Sequence, residues 1–156
     1  ARDNGVGVPL LESISKSNDN QVSRALRIIK SFKKKKIGYI GISFKAGTDD
    51  FRNSPNVTIL EALINDGYDI ACYDKYINSA ILTGTNKKYL DKHIPHIKTL
   101  LLDDIKAVID YGDIIIIGNN DKSNLFKLMD DNKILVDLVK LDNQLAKNKN
   151  YVGINW

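Results

Sequence analysis

The apolar positions of this 156-residue chain change their period near residue 36. Before that point Leu10, Leu11, Ile14, Val22, Ala25, Leu26, Ile28 and Ile29 recur at roughly helical spacing, with the polar stretch 15–21 between them. The pattern predicts a helix over about 17–32, capped at Ser17 or Asn18. Its apolar stripe needs a partner, either the domain behind it or another chain. From Ile37 onward short apolar runs alternate with amphipathic segments. Strands are expected at 37–42, 68–73, 113–117 and 134–139, with a last one at 151–156. Helices are expected at 55–66, 103–111 (capped by Asp103 or Asp104) and 123–129, and a weak one at 141–147. Segment 78–90 reads as mixed helix and loop, and 97–101 as a short strand or extended link. Ser54 stands where an N-cap belongs, Pro55 at the first helical position and Gly67 just past the end. The four isoleucines at 114–117 have the pattern of a parallel strand covered on both faces. Strands and helices alternating at this spacing predict an α/β, Rossmann-like, doubly wound and mostly parallel sheet, preceded by a long N-terminal helix. Such sheets bind ligands beyond the carboxyl ends of their strands.

Composition narrows this reading. Hydrophobic content of 43% and charged content of 27% belong to a folded globular chain, not a disordered one. Much of the net charge of +4 comes from Lys33 to Lys36, which reads as a solvated helix end complementing the dipole. No recognition-helix pattern, zinc spacing or aromatic interleaving accompanies those lysines, so nucleic acid is not an expected partner. Cys72 is the single cysteine. It excludes an intramolecular disulfide, fits a reducing compartment, and points to a cytoplasmic protein. No apolar run approaches the roughly 20 residues of a membrane span. The chain opens without a secretory segment or a starting Met, as expected of a piece of something longer.

Chemistry is expected in the loops that follow the strands. Gly38 and Gly41 are not the dinucleotide fingerprint, because they fall inside the first predicted strand rather than at the turn into a helix. They read as places of close backbone approach, under a neighbouring helix. In place of a glycine loop stands the charged stretch 43–55. There Lys45 could neutralise a phosphate, Arg52 could grip one with paired donors, and the following helix N-terminus adds partial positive charge. Asp49 and Asp50 could pair with the arginine or cap the turn, and Gly47 and Thr48 permit the bend. A solvated loop with a local Asp–Arg pair is the competing reading, and charge alone does not separate the two. Asp74 sits where a ribose-binding acid would sit, yet without the fingerprint a turn or capping role fits better. Gly118, Asn119, Asn120 and Asp121 could line a ligand cleft or simply start the next helix. His93 and His96 lack further ligands for a metal, and Cys72, mid-strand among apolar neighbours, reads as a buried hydrophobe.

The stretch "IGYIGISFKAGTDDFRNSP" resembles the C-terminal domain of the nucleotide-sugar 6-dehydrogenases, the family of UDP-glucose and GDP-mannose dehydrogenases. "NKKYLDKHIPHI", "LLLDDIKAVIDYGDIIIIGNND" and "KILVDLVKL" resemble the GDP-mannose branch in particular. The UDP-sugar branch usually carries a Thr-x-Trp motif where residues 118–121 stand here. The lead-in "VPLLESISKSNDNQVSRALRIIKSF" resembles the end of the family's central helical region. The resemblance implies a boundary near residue 35, with a dimerisation helix before it and a C-terminal GDP-binding domain over 36–156. It implies a two-step oxidation of GDP-mannose to GDP-mannuronate with two NAD in a homodimer. By the same resemblance, Phe44 and Lys45 contact the nucleotide sugar, and Arg52 reaches NAD held mainly by an N-terminal domain not contained in this chain. Asn119 and Asn120 are weaker substrate candidates that the resemblance does not assign. The family's catalytic cysteine lies in a Gly-Gly-x-Cys motif that this sequence lacks and Cys72 does not match, so no catalytic residue is expected here and the chain alone should be inactive.

Overall fold

The computed structural model describes residues 7–45, 48, 50–77, 84–120, 125, 128–129, 132–141, 143, 145–147 and 149–154. Its first element, helix α1 (Pro9–Ser31), is longer than the pattern suggested. It starts at Pro9, whose fixed backbone angle suits the first turn, and no side chain caps it. The expected start at Ser17 is therefore wrong: the polar stretch lies inside the helix. A polar run on a solvent-facing side leaves the local backbone hydrogen bonds intact, so it does not end a helix. The apolar stripe divides between two environments. Ala25 and Ile29 are buried in the core with Val22, Leu26, Ile28 and Phe32 packed around them, whereas Leu10, Leu11 and Ile14 are 76%, 59% and 52% exposed.

Five strands follow: β1 (Lys36–Ile40), β2 (Asp69–Tyr73), β3 (Ile114–Ile117), β4 (Ile134–Asp137) and β5 (Tyr151–Gly153). They form one sheet in the order β2-β1-β3-β4-β5, with every neighbouring pair parallel. Helix α2 (Pro55–Asn65) joins β1 to β2, and α3 (Gly84–His93), the single turn α4 (Ile97–Leu100) and α5 (Ile105–Tyr111) lead to β3. Side-chain alternation sorts the core into two layers. Ile37, Tyr39, Cys72, Ile114, Ile116 and Val136 face α1 and α2, while Ile40, Ala71, Ile115, Ile117 and Leu135 face α5. Both sides of β3 are therefore covered, as its four isoleucines predicted. At β1, a Cβ on Gly38 would lie 2.4 Å from the Val108 carbonyl of α5, which is the close approach that this glycine permits.

Local punctuation held where the chemistry is local. Gly67 takes φ +74° and donates to Ile64 while Tyr68 donates to Leu63, closing α2 with a Schellman pair. Asp104 caps α5 by accepting from the Lys106 amide at 2.9 Å. Two expectations fail. Segment 97–101 is a helical turn, because Ile94 and Ile97 are three apart and both buried; only Leu101 is extended, bridging Cys72 of β2. The lysines are not all solvated helix end either. Lys35 donates to the Asp66 carbonyl at 3.2 Å and lies 4.2 Å over the Tyr68 ring, and Lys36 opens β1 with its ammonium 5.5 Å over Tyr111. The helix expected at 123–129 falls mainly outside the described residues, and the described residues of 141–147 include a 3-10 turn at Leu145–Lys147. Among the described residues no helix is long and apolar enough to cross a membrane.

Candidate functional site

In the order β2-β1-β3-β4-β5, the chain leaves β1 toward one edge and β3 carries the sheet toward the other. Ligand crevices of doubly wound sheets open at this switch, beyond the carboxyl ends of the two strands. Here the β1 end is built around one buried carboxylate. Gly41 turns the chain out of the strand with φ +82°, so it lies just beyond β1 rather than inside it. The next two amides, of Ile42 and Ser43, donate to Asp74 Oδ2 at 2.8 and 2.9 Å. Asp74 Oδ1 accepts from the Tyr76 amide at 3.1 Å. Asp74 thus takes the turn-forming role, closing its own loop and that of β1 together.

From this base the loop rises to α2 on further buried contacts. Ser54 Oγ donates to the Ile42 carbonyl at 3.0 Å instead of capping α2. Asn56, on the buried side of α2, donates from Nδ2 to the carbonyls of Gly118 at 2.8 Å and Ser43 at 3.3 Å, and accepts from the Tyr39 hydroxyl. Phe51 is completely buried in the core, and the Phe44 amide donates to the Asp50 carbonyl at 2.8 Å. The Lys45 carbonyl accepts from the Ser43 hydroxyl and from the Thr48 amide and hydroxyl. The backbone of the charged loop is therefore pinned from below, and several of its side chains face out.

Those outward groups include three of the expected binders. Phe44 is 49% exposed, and Lys45 and Arg52 are exposed. Arg52 is engaged from the side: Nε and one Nη2 hydrogen donate to the two oxygens of Asp50, each at 2.9 Å. The paired donors hold the Asp50 carboxyl down at a pKa of about 2 and raise that of the guanidinium. Nη1 makes no hydrogen bond to a described residue, so part of the fork still faces outward. The local Asp–Arg pair is thus present, with one guanidinium nitrogen left outside it. Asn119 lies at the foot of the loop, 5% exposed, and Asn120 is exposed beside it. Gly47, Asp49 and Asp121 lie outside the described residues.

Above this floor two adjoining cavities of about 300 and 470 Å³ share Gln21, Val22, Phe44 and Pro55. The first is walled mainly by Ala25, Ile59, Leu138, Val139 and Ile154, with Asn56 and Gly118 as polar lining. The second is lined also by Asn18, Asp19, Asn53 and Thr58. One wall is therefore the polar stretch of α1, which sequence reasoning took for an interruption. Asn56 and Phe51 were missed as well. A signal existed for Asn56, a polar residue at helical spacing from Ile59, Leu60 and Leu63. No group of three metal-ligating side chains occurs among the described residues, and His93 instead contacts Glu61 at 3.0 Å. Cys72 is fully buried, and burial followed by the nearby Asp74 charge pushes its thiol pKa up, the opposite of an activated nucleophile.

Residues 38–143 match the UDP-glucose/GDP-mannose dehydrogenase family, UDP binding domain. The chain belongs to that family. Its members are nucleotide-sugar dehydrogenases, and the match begins inside β1, leaving α1 outside. GDP-mannose 6-dehydrogenase of Pseudomonas aeruginosa is 41% identical over 133 residues, 84% of this chain and 30% of that protein. A crystal structure of a ternary complex of GDP-mannose dehydrogenase from the same organism superposes with a TM-score of 0.83 at 38% identity, over 100% of this chain and 36% of that one. UDP-N-acetyl-D-mannosamine dehydrogenase of Methanocaldococcus jannaschii is 33% identical over 75 residues, 46% of this chain and 18% of that protein. The chain thus spans about a third of the length of the GDP-mannose dehydrogenases it matches. Within the UDP-glucose/GDP-mannose dehydrogenase family, the fold and the GDP-mannose likeness read from the sequence are borne out.

Proposed function

We propose that the chain is the nucleotide-sugar-binding domain of a GDP-mannose 6-dehydrogenase, joined to part of the helical region through which two subunits associate. The observation that carries this reading is the cleft at the β1–β3 switch, in a chain whose likeness to GDP-mannose 6-dehydrogenase runs over 84% of its length. A nucleotide sugar has a flat apolar base, an anionic diphosphate and a polar hexose. The cleft offers one chamber walled mainly by aliphatic side chains and a second edged by Asn18, Asp19, Asn53 and Thr58, and the loop that supplies Phe44 to both also carries the exposed Lys45 and Arg52. In this reading Phe44 packs on the substrate, Lys45 neutralises the diphosphate, and Asn119 and Asn120 belong to the β3 side of the site. The ligand is oriented so that its sugar C6 faces residues of another domain.

The whole enzyme would oxidise that C6 alcohol to a carboxylate, with two NAD accepting the hydrides. The described residues fit NAD only at one edge: the turn at Gly41 leads into the Asp74-bound loop, not into a glycine-rich phosphate cradle, and the exposed guanidinium of Arg52 is the donor left for it once Lys45 is given to the nucleotide sugar. Arg52 is accordingly assigned to NAD held by a neighbouring domain. The chain should therefore show no NAD reduction with GDP-mannose; measurable turnover would overturn the division of labour. Calorimetric titration of the chain with GDP, GDP-mannose, UDP and UDP-glucose tests the substrate. Binding of GDP and GDP-mannose is expected. Binding of the UDP compounds alone would assign the domain to a UDP-sugar 6-dehydrogenase, and no binding of any would favour a non-enzymatic Rossmann-like module.

A further inference from the structure

Asn119 stands directly after the β3 glycine, Gly118, yet it does not line the cleft; Gly118 does. Its side chain points across to the β1 end. Nδ2 donates to Ser43 Oγ at 2.9 Å and lies 3.4 Å from Asp74 Oδ2, while Oδ1, fully buried, has no hydrogen-bond partner among the described residues. The amide is tightly enclosed: a Cβ on Gly41 would fall 2.2 Å from Oδ1 and 2.4 Å from Cγ. Gly41, with its positive φ and absent side chain, and Asn119 therefore occupy one space that a larger residue at position 41 would deny.

A buried acceptor without a donor carries an energetic cost, so the amide is held by something other than its own hydrogen-bond balance. What it holds is Ser43, whose hydroxyl donates onward to the Lys45 carbonyl at 3.2 Å and whose amide is fixed on Asp74. Asn119 donating to Ser43, and Ser43 donating to the Lys45 carbonyl, form one hydrogen-bond chain from β3 to the loop, while Asp74 ties the same serine to β2. We infer that Asn119 is a positioning residue: it sets Phe44 and Lys45 through Ser43 and does not itself touch the nucleotide sugar. This rests on the nucleotide-sugar reading of the cleft for its ligand, but the linkage is testable without one.

The test is a double-mutant cycle on the complete chain, with GDP as the titrant and amide hydrogen exchange as a ligand-free measure. Asn119→Ala is expected to weaken GDP about fivefold to tenfold, the scale of one lost hydrogen bond. In a Lys45→Ala background the same change should cost clearly less, about twofold to threefold, because one of the two groups it positions is gone. Exchange at the Ser43 and Phe44 amides should rise about tenfold without a matching rise across Ile114–Ile117. Losses that multiply in the double variant would mean that Asn119 acts on the ligand independently, and would overturn the proposal. Unchanged exchange at Ser43 and Phe44 would overturn it too. Faster exchange in a chain that ignores GDP would uphold the linkage and remove the nucleotide reading. Should Asn119→Ala fail to fold, Ser43→Ala cuts the same chain at its middle and carries the same expectations.

Discussion

Asp74 and Asp137 stand after and at the ends of two strands of one sheet, both buried, and both accept backbone amides. Their reach differs. Asp137 accepts from Val139 and Leu141 of its own loop, each at 2.9 Å, and from the Tyr151 hydroxyl at 3.0 Å. Asp74 accepts from its near neighbour Tyr76 but also from Ile42 and Ser43, more than thirty residues back along the chain. Asp137 closes its own loop and meets the next strand through one side chain, whereas Asp74 holds the backbone of a loop on a neighbouring strand. The difference teaches that the order of the charged loop after β1 is borrowed from β2, β3 and α2, and is not a property of the loop's own composition.

The largest test of that dependence is Phe51, the loop residue buried in the core. Phe51→Ala should destabilise the chain by about 3–5 kcal/mol in urea unfolding, as for a core aromatic. A loss under about 1 kcal/mol would mean that the loop is laid on the surface and not anchored. Next come the aspartates themselves. Each alanine variant should cost about 2–4 kcal/mol, since at least two donors lose their acceptor. Hydrogen exchange should separate them, with Asp74→Ala freeing Ile42 and Ser43, and Asp137→Ala freeing only Val139, Leu141 and the neighbourhood of β5. Identical footprints would erase the contrast. Lys45→Ala should then leave stability within about 0.5 kcal/mol while weakening GDP-mannose by about 1.5–3 kcal/mol, dividing the loop into a pinned base and a working rim. Unchanged affinity would remove Lys45 from the site.

The smallest effect belongs to Asp50 and Arg52 at that rim. Two side-chain hydrogen bonds from Arg52, and a third from its backbone amide, depress the Asp50 carboxyl to about 2, below the roughly 3.9 of an unfolded aspartate. A depressed carboxylate stabilises the fold above the unfolded value, and that contribution is lost as pH falls from about 4 through about 2. Both groups are well exposed, so the effect on stability should be slight. An NMR titration should place the Asp50 midpoint near 2 and move it up toward the ordinary range in Arg52→Ala, which removes the side-chain bonds and keeps the backbone one. A midpoint already near 4 in the parent chain would show that the pair does not persist in solution.

Much of the architecture was legible without coordinates. The periodicity from Ile37 onward, the Ser54-Pro55 and Gly67 boundaries of α2 and the four isoleucines of β3 all express local rules, and all appeared nearly where expected. The errors arose where local rules compete. The polar residues of 15–21 looked like a cap, yet helix bonds are made within the backbone and do not require an apolar side chain at every turn. Ile97 to Leu101 looked extended, yet two isoleucines three apart buried one turn of helix. At the candidate site the proposed binders Phe44, Lys45 and Arg52 came from residue type and motif, and the structure leaves all three side chains exposed. That Ser43, Asn56, Asp74 and Asn119 together hold that loop was not legible.

The sequence by itself determined most of the segments that are strands and helices, where α2 stops, and which loop concentrates exposed charge. Each of these depends on neighbours within a few residues, and side-chain period and turn chemistry record such neighbours directly. Only the tertiary structure decided that β1 lies between β2 and β3, that half of α1 belongs to this core, and that Asp74 and Asn119 meet at Ser43. Those outcomes depend on contacts 31 to 76 residues apart, between groups whose distances are set by how the strands order themselves in the sheet. No local pattern carries that order, because the same alternation of strand and helix is compatible with several.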